Sequence, residues 1–207
     1  MAEQTLNPVA EAKRRAGVDH VLQSARRFVM ANGLDATMDQ LADATGVSRR
    51  TLFRHFTSRE KLLAAAFDSG MVDYRHQLPT YDGDLRGWLL DTCEAAHRMN
   101  AVIGPGFFEL ASRSDLPTDL ADVEQRRRRE FRDAMADIAR TAWTATGHRG
   151  KPPKALIGTI TAHLSPHFTA ALVIDAGERW SVAAELAYTA VLAALDLSPD
   201  RRDGPGL

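Results

Sequence analysis

The chain is poor in several things that would mark a specialised class. It has one cysteine in 207 residues, only 7% aromatic residues and no excess of charge in either direction. The lone thiol, Cys93, cannot close an intramolecular disulfide, so a reducing, cytoplasmic setting is expected. No stretch approaches the roughly 18 consecutive apolar residues of a membrane-crossing helix, so no membrane partner is expected. Residues 1–15 are polar and lack the apolar core of a signal peptide. There is no GxSxG, Walker or GxGxxG pattern, and no cofactor is expected. Internal repeats and low-complexity tracts are absent too. With 26 Lys and Arg against 27 Asp and Glu, the formal net charge is −1, which as a total points to no polyanionic partner.

What is present is ordinary globular composition, 44% hydrophobic and 26% charged, arranged with helical rather than strand periodicity. The charge is unevenly placed. Residues 3–62 hold ten basic and seven acidic side chains, and residues 63–207 hold 16 and 20. The first part is basic and the rest acidic.

Val18, Val21, Leu22, Ala25, Phe28 and Val29 mark a helix over about 12–31, stopped at Asn32-Gly33. Thr37 is placed to cap a short helix, Gly46 to end it, Ser48 to cap the next and Ser58 a fourth. Leu62, Leu63, Ala66, Phe67 and Met71 give that fourth helix its apolar face. Longer helices are expected over 85–99, over 155–175, over 178–195 and to about Thr146 from a start with Pro117 just inside it, with a short one over 107–112. The expectation is an all-α fold. A three-helix domain spans 12–57, a larger helical domain spans 58–197, and 1–11 and 198–207 are disordered.

Residues 37–62 read TMDQLADATGVSRRTLFRHFTSREKL. Two short helices joined at Thr45-Gly46-Val47-Ser48 form a helix-turn-helix pattern. Leu41, Ala42, Val47, Leu52 and Phe56 can pack the pair inward. Gly46 tolerates the left-handed backbone of a sharp turn. Arg49, Arg50, Arg54, Arg59 and Lys61 face a single acid, Glu60, a local excess suited to phosphates.

At these residues the chain closely resembles the TetR family of bacterial transcriptional regulators. The likeness is strong over about 12–70, and beyond that it rests on size and helical pattern. It implies a homodimer on a palindromic operator in double-stranded DNA, with a small-molecule effector and no enzymatic activity. By position, Arg49, Arg50 and Thr51 would reach base edges. Thr37, Ser48, Phe53, Arg54, His55 and Arg59 would support the contact, largely through phosphates. Phe53 departs from the family's usual tyrosine and loses a hydroxyl donor. The fourth helix, from Arg59 to Met71, would link DNA to effector.

For the larger region the resemblance implies a dimer through the last two helices. Ala170, Ala171, Val173, Val182, Ala183, Leu186, Ala190 and Ala193 offer small apolar surface there. Candidate effector walls are Trp88, Thr92, His97, Phe107, Phe108, Phe131, Met135 and Trp143, with Met99 beside them, which suit a largely apolar molecule. The arginine run 126–129 reads as solvated surface, with one member free to meet an anion. Two rival readings stay open. His163 and His167, four apart, could share a metal in an all-helical binding protein without DNA function. Cys93 and His97, also four apart, could form a thiol–imidazole pair. The first lacks a third ligand and the second an orienting acid.

Overall fold

The computed structural model describes residues 8–196, except for the side chains of Pro8 and residues 71–75. Among the described residues there are ten α-helices, one π-helical turn and no strand, as an all-α fold requires. They are α1 (Pro8–Asn32), α2 (Met38–Thr45), α3 (Arg49–Phe56), α4 (Arg59–His76), α5 (Leu85–Asn100), α6 (Pro105–Ser112), α7 (Thr118–Ala145), α8 (Lys154–His163), α9 (Pro166–Ala170) and α10 (Trp180–Asp196). The π-turn Ala171–Asp175 follows α9 directly.

Helix α1 starts four residues before the expected Ala12, so residues 8–11 are helical rather than disordered. Pro8 suits a first helical position because its missing N–H would have no partner there. Glu11 in the first turn meets the helix dipole and pairs with Arg14 at 2.7 Å. The rest of the expected disordered ends, 1–7 and 198–207, lies outside the described residues, as does the Met71 side chain.

The chain forms two compact units that alternate along the sequence, rather than dividing once near residue 58. One is Met1–Asp73 with Gly104–Arg127, and the other is Tyr74–Ile103 with Arg128–Leu207. The reason is a shared core. Leu62, Leu63, Ala66 and Phe67 of α4 pack with Val21, Ala25 and Val29 of α1 and with Leu41 and Leu52, and Leu110, Leu120 and Val123 return later in the chain to the same cluster.

Within the first unit, α6 lies on the end of α1 at backbone distance. A Cβ at Gly104 would stand 2.1 Å from the Met30 carbonyl oxygen, and one at Gly106 would stand 2.1 Å from that of Val29. Both obstacles are backbone, so neither can swing aside. The arginine run is partly engaged here. Arg126 pairs with Asp68 at 2.7 Å, and Arg127 pairs with the buried Glu124 at 2.6 Å and covers the Phe107 ring.

The second unit is built on α5, α8 and α10. Trp88, Leu89, Cys93, Ala96, Met135, Ile138, Leu156, Ile160, Ala187 and Val191 belong to one core. The helix expected over 155–175 is broken. Ser165 caps a new helix at Pro166, accepting from the Phe168 N–H at 3.1 Å, and the two parts meet at 46°. Because Phe168 N is thereby taken, the Leu164 carbonyl lacks its helical donor. Asn100 Nδ2 of α5 supplies one at 3.1 Å. No single described helix is long and apolar enough to cross a membrane, and α8 with α9 reaches that measure together only across the bend.

His97 is fully buried in this core, with Nδ1 2.8 Å from Thr169 Oγ1. Burial is the main cause that lowers its pKa from 6.5 to about 4. The His163 carbonyl pulls upward, and the His163 ring, when charged, pushes further down.

Two predictions follow from this packing. Gly106→Ala must push α6 off α1, and we expect a loss of roughly 1–3 kcal/mol or more in urea unfolding, against near-neutral Gly158→Ala, where nothing stands within 4 Å. For His97 the folded pKa lies below the unfolded one, so the unfolded chain binds the extra proton. Stability therefore declines as pH falls from 6.5 towards 4, by roughly 3 kcal/mol from this group. His97→Gln should flatten that part of the pH–stability curve, and an unchanged slope would show that other groups set it.

Candidate nucleic-acid interface

The turn and both short helices are closed by local hydrogen bonds. Thr37 Oγ1 accepts from Gln40 N at 3.3 Å, and Gln40 Oε1 accepts from Thr37 N at 2.8 Å. This reciprocal cap satisfies two donors that a helix start leaves free. Gly46 ends α2 at φ +70, where a side chain would be strained. Ser48 then opens α3, its Oγ accepting from Thr51 N at 3.2 Å and lying 3.0 Å from Thr51 Oγ1. Thr57 ends α3 at φ +52, with its N–H bonded to the Phe53 carbonyl at 3.1 Å.

Leu52 is 1% exposed, and Phe56, one turn on, packs partly into the same core. At 100° per residue this turns Arg50 and Arg54 to the opposite side of α3, and both are exposed. Among the described residues neither has an ion-pair partner. Arg49 stands at the flank. Its guanidinium pairs with Asp39 of α2 at 3.1 Å and lies 5.4 Å from the Phe53 ring centre. Both members of that ion pair are more than half exposed, so it is weak and easily exchanged. Phe53 is 38% exposed, and His55 is exposed beside it. An exposed, cationic helix face on a fully buried base is the geometry of a major-groove reader.

Arg59 is engaged within the protein. Its Nη1 donates to the Leu34 carbonyl at 2.7 Å and the Ala36 carbonyl at 3.1 Å, and its Nε to Glu60 at 3.0 Å. The arginine thereby pins the segment between α1 and α2. That segment is held from α6 as well. Glu109 Oε2 accepts from Leu34 N at 2.6 Å, and Arg113 donates to Asp35 at 2.9 Å. Gly33, at φ +93, leaves room for the Glu109 carboxylate, which a Cβ would meet at 2.7 Å. Arg113 also pairs with Asp115, which draws the Asp115 carboxyl below its usual range. Glu109 and Arg113 carry no motif signal. Their partners on the segment between α1 and α2 lie more than 70 positions away.

The expected effector walls are divided between the two units. Trp88, Thr92, His97, Phe131, Met135 and Trp143 belong to the second unit, whereas Phe107 and Phe108, in edge contact with each other at 5.4 Å, belong to the first. Trp88 Nε1 donates to the Pro79 carbonyl at 3.0 Å, and Met135 is fully buried. Trp143 is 3% exposed and its ring stacks on His148 at 3.8 Å. Asn100 and Thr169, both buried, adjoin this group, and the sequence reading missed them. Their neighbours come from across the chain, so nothing local announces them.

The rival chemistries find little support in the geometry. Pro166 separates His163 and His167 onto different helices, and His163 Nδ1 bonds to the Thr159 carbonyl at 2.9 Å. Among the described residues no three His, Cys, Asp or Glu side chains gather as a metal site would require. Burial pushes the Cys93 thiol up to about 12, so it is a neutral core residue and a poor nucleophile.

Comparison with known proteins agrees with this geometry. The model of the family described as bacterial regulatory proteins, tetR family, matches residues 21–66. No curated protein matches the chain. Among solved structures, a TetR transcriptional regulator from Chloroflexus aurantiacus J-10-FL is 19% identical, with a TM-score of 0.67 over 90% of this chain and 98% of that one. A tetR-family regulator from Streptomyces coelicolor is 18% identical, with a TM-score of 0.66 over 94% and 92%. A TetR transcription regulator from Haloarcula marismortui ATCC 43049 is 18% identical, with a TM-score of 0.64 over 88% and 97%. The chain thus carries a helix-turn-helix segment that matches the tetR-family model of bacterial regulatory proteins, on a fold similar to that of solved TetR regulators.

Proposed function

We propose that the protein is a homodimeric repressor that holds a palindromic operator and is released by a small, largely apolar effector. The observation that carries the DNA contact is the exposed face of α3, where Arg50 and Arg54 stand opposite the buried Leu52. Arg50, at the helix start, is assigned to a base edge, where a guanidinium can bond guanine O6 and N7 together. Arg49 joins it once Asp39 is exchanged for DNA. Thr37, Ser48, Thr51, Arg54 and His55 are assigned to backbone or flanking contacts, and Phe53 to sugar contact. Arg59 acts indirectly, through the segment it pins.

One eight-residue helix reads few base pairs, and a two-fold dimer would set two of them about 34 Å apart. The dimer reading is supported by apolar surface that the single chain leaves open. On α10, Leu186 and Ala193 are exposed and Val182 and Ala190 half-exposed, at steps of three and four residues, and Ile174 is 67% exposed before it. Ala183, expected in that surface, faces inward and is fully buried. Trp88, Thr92, His97, Phe131, Met135 and Trp143 are the effector candidates that share one unit. Linkage then requires that effector and operator weaken each other equally, typically by about 1–3 kcal/mol.

The test begins with a duplex selected from a random pool by the wild-type protein. In fluorescence anisotropy, Arg50→Ala should cost about 1–3 kcal/mol on that duplex and relax the preference at one base pair. His55→Ala should weaken selected and scrambled duplexes alike, and Arg54→Ala should reduce the salt slope by about one. Equal losses on both duplexes for Arg50→Ala would sink the base-reading role. A selected site without two-fold symmetry, or sedimentation as a monomer at micromolar concentration, would remove the dimer.

A further inference from the structure

One acid of the helix-turn-helix holds an arginine assigned to DNA. Asp39, in the first turn of α2, accepts from Arg49 Nη1 through both carboxylate oxygens, at 3.2 and 3.1 Å. The two residues line an open cleft at the start of α3, together with Asp35, Thr37 and Arg59. The other charges of that cleft have partners outside α2 and α3. Arg59 is bonded to the Leu34 and Ala36 carbonyls and to Glu60, and Asp35 is bonded to Arg113. The Asp39–Arg49 pair joins the two helices across solvent, with 70% and 57% of these side chains exposed.

The pair sets a condition on any DNA that would break it. A phosphate offers acceptors to Arg49 and no donor to Asp39. Drawing Arg49 away then replaces one anion by another, and it leaves a bare carboxylate beside a polyanion. A base pair offers both kinds of group. In the major groove guanine presents O6 and N7 to a guanidinium, and cytosine presents its N4 amino group to a carboxylate. The two side chains start 3.1 Å apart, close enough to part onto one base pair or two adjacent ones. Such a site satisfies both residues, and a phosphate satisfies one.

We propose that Asp39 is a specificity-determining residue, which withholds Arg49 from phosphates and yields it to a guanine whose paired or adjacent cytosine takes up the carboxylate. Asp39 therefore acts chiefly against the wrong DNA, by making non-specific contact poorer. This rests on the DNA-binding reading above and adds to it the residue that sets the margin between right and wrong sites.

Fluorescence anisotropy on the full chain tests it, with the duplex selected by the wild type and a scrambled duplex. Asn keeps the shape of the exposed Asp39 side chain and removes its charge. Asp39→Asn should tighten binding to the scrambled duplex by about threefold or more and to the selected duplex by less than about twofold, narrowing the ratio between them. On scrambled DNA the salt slope should steepen by about one, as Arg49 takes up a phosphate, and this steepening should vanish in Arg49→Ala protein. Asp43→Asn, which removes the same charge one turn along α2, should shift both duplexes alike and by less than about twofold. Selection repeated with Asp39→Asn should lose its preference at the base pairs where Arg49→Ala loses it. Equal gains on both duplexes, the same effect from Asp43→Asn, or a steeper slope that survives without Arg49 would reveal a general charge effect and overturn the proposal. A loss confined to the selected duplex would show that Asp39 supports Arg49 in the complex, which also overturns it. If the wild type selects no duplex, the regulator reading falls and takes the proposal with it. If it selects one and Asp39→Asn leaves the ratio unchanged, the proposal falls alone.

Discussion

The approach of α6 to the end of α1 is the contact on which the DNA-facing unit depends. Gly104 and Gly106 let one helix rest on the last carbonyls of the other, at distances no side chain would allow. That contact brings Glu109 to the Leu34 N–H and Arg113 to Asp35, while Arg59 takes the Leu34 and Ala36 carbonyls from α4. The segment 33–36 is therefore held by side chains from the ends of two later helices, chiefly through its own backbone groups. Everything downstream, the Thr37 cap, α2, the Gly46 turn and α3, inherits its position from that hold. A hydrogen bond to a charged partner is short and directional, and removing one member strands the other. Small displacements of α6 or α4 should then reach the reading helix with little loss, a suitable property in a regulator.

The two units handle polarity in opposite ways. The first spends its buried and half-buried charges in pairs, such as Glu124 with Arg127, and sends unpaired cations outward on α3. The second buries no described charge, yet keeps neutral polar atoms unsatisfied in an apolar core. The first arrangement suits a polyanion met from solvent. Burial holds His97 neutral in the core of the second unit.

Much of the reading unit was legible from residue order alone. Caps, turns and the inward apolar set of a helix-turn-helix depend on neighbours within four positions, so Thr37, Gly46, Ser48, Leu41 and Leu52 all stand as the pattern implies. What was not legible has a different origin. Arg59 offers its charge locally, and besides the adjacent Glu60 it bonds carbonyls 23 and 25 residues away that the sequence does not announce. Phe107 and Phe108 resemble the other aromatic residues in the sequence, and only the fold places α6 in the first unit. Ala183 and Ala190 have the same composition, and only the surroundings decide that one is buried and the other half-exposed. The break at Ser165-Pro166 was signalled by the proline, and its consequence, an orphan carbonyl met by Asn100, was not.

The sequence by itself determined the all-helical class, the helix-turn-helix and its cationic outer face, because those follow from short-range periodicity and capping chemistry. It also separated a basic first part from an acidic remainder. Only the tertiary structure decided which helices share a core, which arginines are free to meet DNA, and which polar atoms are left unpaired in the interior. Those outcomes depend on contacts between residues tens of positions apart. Burial and partnership are properties of the surroundings, and the order of residues along a chain does not state what will surround each one.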